Sequence, residues 1–277
     1  MGFNSKKLEK EGNITSLNVK TRVIMFANQK GGVGKTTSAV NIATVLAAMN
    51  YKVLVIDFDS QGNASSSFNA ESTKFIHDWM LGACEAGEVI VNYFENLDLI
   101  PSGRDLAGFE IEMAGDPSNY YKLKEKISAL LGLYDYIFID CPPSLGFLTI
   151  NALVASNYVL IPTQCEYFSM EGIAHIVKTI GSVKVKLNPE IEILGFLLTM
   201  FDKRSLLNLN VAREIRGYFG GLVFENVIPR NVKIAEAPSH GKPIILYDVK
   251  SAGAKAYMDV TREIIERVNQ KTVKEVA

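Results

Sequence analysis

One glycine-rich stretch carries residue types that could do chemistry together. Residues 27–37 read A-N-Q-K-G-G-V-G-K-T-T, between an apolar β-type run at residues 23–26 and a helical pattern at residues 38–49. Glycines adopt backbone angles closed to other residues, so successive N–H groups can surround an anion at the start of a helix. Lys35 then offers a charge to the β- and γ-phosphates, and the Thr36 hydroxyl is placed to ligate Mg²⁺. The stretch therefore predicts a nucleoside triphosphate site.

Two residues of the stretch differ from the common G-x-x-x-x-G-K-[ST] pattern. Gln29 stands where the first glycine is usual, and Lys30 stands just before the glycine pair. A lysine beside a phosphate cradle could simply be solvated, or it could reach the nucleotide of a second subunit, as an arginine finger does. Residue types alone leave both interpretations of Lys30 open.

Acidic residues follow two of the apolar runs. Asp140 ends the run at residues 134–139, which is typical of a Walker B aspartate that holds the Mg²⁺ shell through water or Thr36. No glutamate follows Asp140, so the general base must come from another part of the chain. Asp59, 24 residues beyond Lys35, is the candidate.

Asp59 should lie at the same rim as the glycine-rich stretch, because the carboxyl ends of parallel strands meet there. A carboxylate at that point can orient or deprotonate an attacking water, which contributes about 10²–10⁴ in rate. We assign Asp59 to catalysis together with Lys35, joined by Lys30 under the interpretation in which Lys30 reaches a second subunit's nucleotide. We also assign Asp59 to the magnesium set together with Thr36 and Asp140. Asp57, one step deeper, belongs to the magnesium shell or to the strand end.

The rest of the chain alternates strand and helix patterns. Apolar runs predict strands at residues 23–26, 52–56, 97–101, 134–139, 158–163, 191–199 and 222–228. Helical periodicity predicts helices at residues 38–49, 71–82, 85–92, 120–131, 148–156, 169–187, 208–219 and 253–270, with a turn-rich connection at residues 111–119. This pattern predicts the α/β class, with a doubly wound, mostly parallel sheet flanked by helices. Residues 1–22 are predicted to be a flexible extension and residues 23–277 a single P-loop ATPase domain.

Composition favours an intracellular protein. The chain has 277 residues, 48% of them hydrophobic, which is enough for a full α/β core. Its three cysteines lack C-x-x-C spacing, which argues against a disulfide framework or a metal cluster and fits a reducing cytoplasm. No apolar run approaches the roughly 20 residues of a membrane span, so we expect no membrane partner.

The net charge of −1 conceals an uneven distribution. Residues 1–22 carry five basic and two acidic residues, residues 23–199 carry 11 and 19, and residues 200–277 carry 13 and 9. The last segment can therefore present a basic face to a polyanion although the whole chain is nearly neutral. An evenly solvated surface fits the same counts.

The sequence resembles ParA/Soj-type partition ATPases, the deviant Walker A group that also contains MinD. The similarity runs from residue 23 to about residue 268. Its matching runs are A-N-Q-K-G-G-V-G-K-T-T (27–37), D-F-D-S-Q-G-N-A (57–64), I-D-C-P-P-S-L-G (139–146), L-T-I-N-A-L (148–153), Q-C-E-Y-F (164–168), L-T-M-F-D (198–202) and V-I-P-R-N-V-K-I-A-E-A-P-S-H-G-K-P-I (227–244).

The resemblance implies an ATPase that uses ATP and Mg²⁺ and forms a face-to-face homodimer around the nucleotides. It implies that Lys30 contacts the partner subunit's nucleotide, that Asp59 supports hydrolysis and that Pro229 and Asn231 lie against adenine. The implied nucleotide-binding residues are Lys30, Gly31, Gly32, Val33, Gly34, Lys35, Thr36, Thr37, Pro229 and Asn231.

The resemblance further implies that the dimer binds double-stranded DNA non-specifically and that a ParB-type centromere-binding protein stimulates weak ATP hydrolysis. The protein would then be cytoplasmic and associated with the nucleoid. By position, the DNA-binding residues are Arg204, Arg230, Lys233 and Lys250. A lysine at position 250, where arginine is common, keeps the charge but loses the bidentate fork. Ser60 stands where the family usually has proline, and we expect a looser loop there.

Four other kinds of protein share parts of this pattern. A MinD-like membrane ATPase has the same core but needs a C-terminal amphipathic helix with large apolar residues, and the sequence after Tyr257 has no Phe, Trp or Leu. An iron–sulphur carrier needs a suitable cysteine pair, and a bacterial tyrosine kinase needs a C-terminal tyrosine cluster. A non-enzymatic nucleotide sensor would differ in releasing no phosphate.

Overall fold

The computed structural model describes residues 21–276, with side chains described as far as residue 271. The predicted N-terminal extension lies outside the described residues except for Thr21 and Arg22. Thr21 is buried, and its hydroxyl donates a hydrogen bond to the Tyr134 carbonyl oxygen at 2.7 Å. Arg22 is the first residue of the first strand.

A single sheet runs through the centre of the described chain. Its strands are β1 (Arg22–Phe26), β2 (Val53–Asp57), β3 (Val91–Phe94), β4 (Leu97–Ile100), β5 (Tyr136–Asp140), β6 (Tyr158–Gln164) and β7 (Glu192–Thr199). The strand order is β3-β4-β2-β5-β1-β6-β7, and every neighbouring pair is parallel except β3 with β4. The predicted doubly wound, mostly parallel sheet is confirmed.

Helices connect the strands and cover both faces of the sheet. They are α1 (Lys35–Ala48), α2 (Asn63–Ser67), α3 (Ile76–Leu81), α4 (Ala86–Val89), α5 (Leu106–Met113), α6 (Lys122–Ser128), α7 (Phe147–Ala155), α8 (Ser169–Lys186), α9 (Leu206–Phe219), α10 (Val232–Glu236), α11 (Ile244–Tyr247) and α12 (Ala252–Val276). Short 3₁₀ turns span Pro117–Tyr121, Gly220–Leu222 and Ala237–His240. Within the described range, every helix is too short or too polar to cross a bilayer.

Strand β1 shows how the sheet divides the core into two layers. Side chains alternate across a strand, so Val23 and Met25 join one buried cluster while Ile24 and Phe26 join the other. Because both faces are covered, β1 reads as a continuous apolar run rather than as an alternating one. This double coverage places the ligand-binding residues at the ends of the strands.

The predicted strand at residues 222–228 is wrong. Its backbone reaches β7 through one isolated bridge, Val223 opposite Phe196, and through the N–H groups of Phe224 and Ile228, which donate to β7 carbonyls. Side chains of α12 take the other backbone groups: Arg267 donates to the carbonyls of Leu222 and Val223, and Glu263 accepts from the N–H groups of residues 225 and 226. Val223, Phe224 and Ile228 are buried while Leu222 is exposed, and all of them lie in an irregular segment.

Two further predictions fail between the second and fifth strands. The predicted helix at residues 85–92 is the single turn α4 followed by β3, whose V-N-Y-F sequence suits a strand and which pairs antiparallel with β4. The turn between β3 and β4 has Asn96 at a φ of 66°. The turn-rich connection predicted at residues 111–119 overlaps α5, which ends at Met113. Gly108, inside α5, weakens the helical periodicity of the sequence there.

Arg267→Ala is expected to lower the free energy of unfolding by about 2–3 kcal/mol. The side chain is 16% exposed, and its loss leaves carbonyl oxygens and the Glu263 carboxylate without their partner. Denaturant unfolding measures the change. The matched control is Arg262→Ala, which removes an exposed ion pair with Asp259 on the same helix and should cost less than about 0.5 kcal/mol. Equal losses in the two variants would contradict the assigned role of Arg267.

Candidate functional site

The loop between β1 and α1 forms an open cradle at the end of the sheet. Gly32 and Gly34 have φ values of 72° and 88°, a backbone region that strains any residue with a side chain. Gly34 is the N-cap of α1, and no side chain caps this helix. The first N–H groups of α1 are therefore available to an anion, whose negative charge the helix dipole also favours.

Side chains from β6 and β7 fix the shape of this loop. The Thr199 hydroxyl donates to the Val33 carbonyl at 2.8 Å, and Gln164 Nε2 donates to the Gly32 carbonyl at 3.1 Å. Asn28 Nδ2 in turn donates to a carbonyl of β6 at 2.8 Å. Sequence reasoning assigned no role to these three side chains. The sequence gives little sign of these roles, because each of the three hydrogen bonds joins residues more than 100 positions apart in the chain.

Lys35 is buried beneath the cradle. Lys35 is 7% exposed, and its Nζ lies 3.5 Å from the Lys30 carbonyl oxygen. Burial lowers the pKa of Lys35, while the nearby carboxyl groups of Asp140 and Asp59 act in the opposite direction. A bound anion would oppose the effect of burial further, so this lysine is suited to a phosphate.

Lys30 lies at the surface of the site rather than inside it. Its ammonium group forms an ion pair with Glu166, a residue of the β6–α8 loop, and the two side chains are 50% and 48% exposed. An exposed pair of this kind holds its partners weakly. Lys30 is thus accessible both to solvent and to a second molecule that approaches the cradle.

The two strand-end carboxylates face each other across adjacent strands. Asp57 ends β2 and Asp140 ends β5, and they are register partners in the parallel pair. Asp57 accepts hydrogen bonds from the backbone N–H and the hydroxyl of Ser65, both at 2.7 Å. Burial nevertheless raises the pKa of Asp57 to about 6.

Asp140 has a different environment although it is equally buried. Neither of its carboxylate oxygens has a hydrogen-bond partner of normal geometry. Burial, followed by the charge of Asp57, raises its pKa well above the usual range, and the nearby Thr36 hydroxyl and Lys35 oppose the shift. A buried carboxylate without a partner is costly, so an unpaired Asp140 points to a ligand.

Asp59 begins the loop that leads to α2. It is 6% exposed, and its carboxylate accepts a hydrogen bond from the Gln61 backbone N–H at 3.0 Å. Its charge acts on both Lys35 and Asp140. The structure therefore brings together the residues predicted for catalysis and magnesium, with Lys30 at the outer edge of the group.

The carboxylates fit a magnesium ion that takes only some of its ligands from the protein. Among residues 21–271, no three His, Cys, Asp or Glu side chains are placed to enclose a metal. The unpartnered carboxylate of Asp140 beside the Thr36 hydroxyl instead suits a cation that draws its remaining ligands from phosphates and water. Mg²⁺ binds in this way at nucleotide sites.

A cavity of about 410 Å³ opens beside the cradle. It contains both predicted adenine-contacting residues, Pro229 and Asn231, and its other lining residues include Thr37, Met200, Ile234, Pro238 and Tyr257. Its size is within the range of small-molecule sites. Asn231 caps α10, since its Oδ1 accepts from the Ile234 N–H at 3.3 Å, which leaves the amide nitrogen as a donor to a ligand.

The four predicted DNA-binding residues are all exposed. Arg204 lies in the loop after β7 and Arg230 lies at the mouth of the cavity, both near Asp202. Lys233 is on α10, and Lys250 precedes α12. The structure thus places these cations on exposed elements near the cavity rather than on the buried part of the site.

The glycine cradle, the buried lysine and the strand-end carboxylate define the chain as a P-loop nucleotide-binding protein. A family profile described as an AAA domain matches residues 21–193. The sporulation initiation inhibitor protein Soj of Bacillus subtilis is 47% identical over 247 residues, which cover 88% of this chain and 98% of Soj. The chromosome partitioning protein ParA of Caulobacter vibrioides is 44% identical over 259 residues, which cover 91% and 97%. The chain belongs to the ParA/Soj family of chromosome-partitioning ATPases, as its sequence motifs predicted.

Solved structures show the same fold. A cobyrinic acid a,c-diamide synthase of Mycobacterium smegmatis with bound ATP analog and magnesium is similar with a TM-score of 0.78 and 33% identity, covering 90% of this chain and 96% of that one. A putative plasmid partition protein of Borrelia burgdorferi bound to AMPPNP has a TM-score of 0.75 and 28% identity, covering 91% and 99%.

Asp57→Asn is expected to stabilise the protein at high pH in buffer without nucleotide or magnesium. Because the folded-state pKa is raised to about 6, folded Asp57 retains a proton that the unfolded chain has lost, and stability falls as pH rises from about 4 to 6. The variant lacks this loss, so its free energy of unfolding should exceed that of the wild type by about 3 kcal/mol at pH 8 and by little at pH 4. Equal gains at both pH values, measured by denaturant unfolding, would contradict this explanation.

Proposed function

We propose that this ATPase forms an ATP-dependent homodimer that binds DNA non-specifically and drives chromosome or plasmid segregation. The observation that carries the proposal is the unpartnered, buried Asp140 carboxylate beside Lys35 at the glycine cradle. This combination suits a magnesium–triphosphate ligand. Membership of the ParA/Soj family supports the cellular role.

In this proposal the cradle residues bind the phosphates of ATP. The N–H groups at the start of α1 and the Lys35 ammonium group neutralise the β- and γ-phosphate oxygens. Thr36 and Asp140 would hold Mg²⁺, with Asp59 beside them, and Mg²⁺ when bound draws negative charge from the phosphates. Asp59 orients the attacking water or accepts its proton.

Lys30 is proposed to act between subunits. Its position on the outer rim and its half-exposed ion pair with Glu166 allow it to turn toward a second copy of the chain. There it would contact the partner's nucleotide, in the manner of an arginine finger. The nucleotide would then lie between two copies, so ATP would favour the dimer by mass action.

The base of ATP is proposed to occupy the cavity beside the cradle. Pro229 supplies a flat apolar wall, and the free amide nitrogen of Asn231 can donate to the base edge. The same segment continues into Arg230 and Lys233, which are proposed to contact DNA with Arg204 and Lys250. Pairing two subunits doubles the phosphate contacts, so affinity for DNA rises steeply on dimerisation and falls with salt.

Release from DNA is proposed to follow ATP hydrolysis. Asp59 lies on a loop held by a local hydrogen bond to Gln61, so we expect weak intrinsic activity until the loop is reordered. A ParB-type centromere-binding protein is the proposed partner that reorders it. The active dimer would be associated with the nucleoid and return to single subunits after hydrolysis.

Asp59→Ala is expected to trap the ATP-bound dimer. Hydrolysis should fall by about 10²–10⁴, because the water loses its positioning carboxylate while the phosphate contacts remain. Sizing chromatography with ATP measures the dimer, and phosphate release measures turnover. Lys35→Ala is the opposite control and should stay monomeric with ATP. A monomeric Asp59→Ala variant would refute the role of Asp59.

Arg230→Glu is expected to keep nucleotide-dependent dimerisation but to lose DNA binding, since a carboxylate repels DNA phosphates. A gel shift over a series of salt concentrations, in the presence of a non-hydrolysable ATP analogue, measures the change. Arg262→Glu makes the same charge change on α12, outside the proposed surface, and should bind DNA like the wild type. An unchanged gel shift for Arg230→Glu would rule out its role.

A further inference from the structure

Cations of the proposed DNA surface already have carboxylate partners within the same chain. Arg204 donates two hydrogen bonds to Asp202, from Nε to Oδ1 and from Nη2 to Oδ2, each at 3.0 Å. Lys233 Nζ lies 2.9 Å from Glu236 Oε2. The guanidinium group of Arg204 therefore binds the Asp202 carboxylate through two parallel hydrogen bonds, the geometry in which arginine also binds a phosphate.

Asp202 is the fixed member of its pair. Its side chain is 31% exposed, against 91% for Arg204, and its backbone N–H donates to Asn208 Oδ1 on α9 at 2.9 Å. The carboxylate also accepts from the Arg204 backbone N–H at 3.0 Å, which closes a tight turn. Arg230 is near enough for its charge to contribute to the low pKa of Asp202, although the hydrogen bonds from Arg204 are the larger cause. One carboxylate thus faces two of the proposed DNA-binding arginines.

Glu236 restrains Lys233 in a similar way. The same oxygen that accepts from Lys233 also accepts from the Tyr247 hydroxyl at 3.1 Å, which fixes the carboxylate. The Lys233 ammonium group lies 5.6 Å from the centre of the Tyr247 ring. Lys233 is therefore held against its own subunit between a carboxylate and an aromatic ring.

We propose that Asp202 and Glu236 are affinity-setting residues that compete with DNA phosphates for Arg204, Arg230 and Lys233. This inference rests on the proposed DNA-binding function. A phosphate that binds the Nε–Nη2 edge of Arg204 must displace the internal carboxylate, because Asp202 already accepts the hydrogen bonds of that edge. Exposed pairs are weak, so each carboxylate reduces the affinity of one subunit only a few-fold. A dimer carries each pair twice, so its affinity is reduced by about the square of that factor, and its doubled phosphate contacts must offset the larger reduction.

The test removes each carboxylate charge while keeping its shape. Asp202→Asn retains an oxygen for the Arg204 backbone N–H, and Glu236→Gln retains one for Tyr247. The matched control is Asp259→Asn, which removes a carboxylate paired with Arg262 at 2.7 Å on α12, an ion pair with none of the proposed DNA-binding cations. Fluorescence anisotropy with a short random-sequence duplex at fixed salt measures affinity, with and without a non-hydrolysable ATP analogue and Mg²⁺.

Asp202→Asn and Glu236→Gln should each bind DNA roughly two- to fivefold more tightly without nucleotide. With the analogue the gain should be about the square of that factor, on the order of 4–25-fold, since both subunits of a dimer contribute. Asp259→Asn should bind like the wild type. An equal gain in DNA affinity in all three variants would assign the effect to net charge and overturn the proposal. Unchanged DNA affinity in Asp202→Asn and Glu236→Gln would overturn it as well.

The wild type distinguishes failure of this inference from failure of the proposed function. If the wild-type dimer does not bind the duplex, the proposed DNA-binding function is wrong and this inference falls with it. If the wild type binds but neither Asp202→Asn nor Glu236→Gln binds more tightly, only this inference is wrong. Thermal unfolding checks that each variant is folded. If Asp202→Asn is unstable, the DNA affinity of Glu236→Gln alone tests the inference.

Discussion

The site depends on charged side chains that are buried where β1, β2 and β5 end. Parallel pairing places Asp57 opposite Asp140, and α1 begins beside them with Lys35 buried in the same region. Burial shifts the pKa of each of these groups toward its neutral form, raising the two carboxyl values and lowering that of the lysine. The empty site is therefore strained electrostatically, and a ligand that brings both phosphate and a cation removes the strain.

Features encoded locally in the sequence could be predicted. A glycine run between strand and helix patterns needs only a few adjacent residues, and so does an aspartate at the end of an apolar run. Contacts between distant residues could not be predicted, for example the Thr199 hydroxyl on Val33, 166 residues away. Residues 222–228 show the same limit, because hydrophobicity indicated the burial of Val223, Phe224 and Ile228 but not that side chains of α12 take backbone hydrogen bonds of the segment. The four-residue β3 was too short for a clear period.

A single segment connects the cavity beside the cradle to the exposed cations. Pro229 and Asn231 line the cavity, and Arg230 between them lies at its mouth, exposed and near Asp202. The cavity wall and this cation thus belong to one short stretch of backbone. A ligand that shifts the cavity wall would therefore also move the exposed charge, without a long chain of intervening contacts.

The irregular segment beside β7 also controls how the sheet can associate. A terminal strand with free backbone groups invites another chain to add to it, which leads to aggregation. Here the Phe224 and Ile228 N–H groups donate to β7 carbonyls, and Arg267 and Glu263 occupy much of the remaining backbone of the segment. This border of the sheet is closed to strand addition, so two copies can meet there only through side chains.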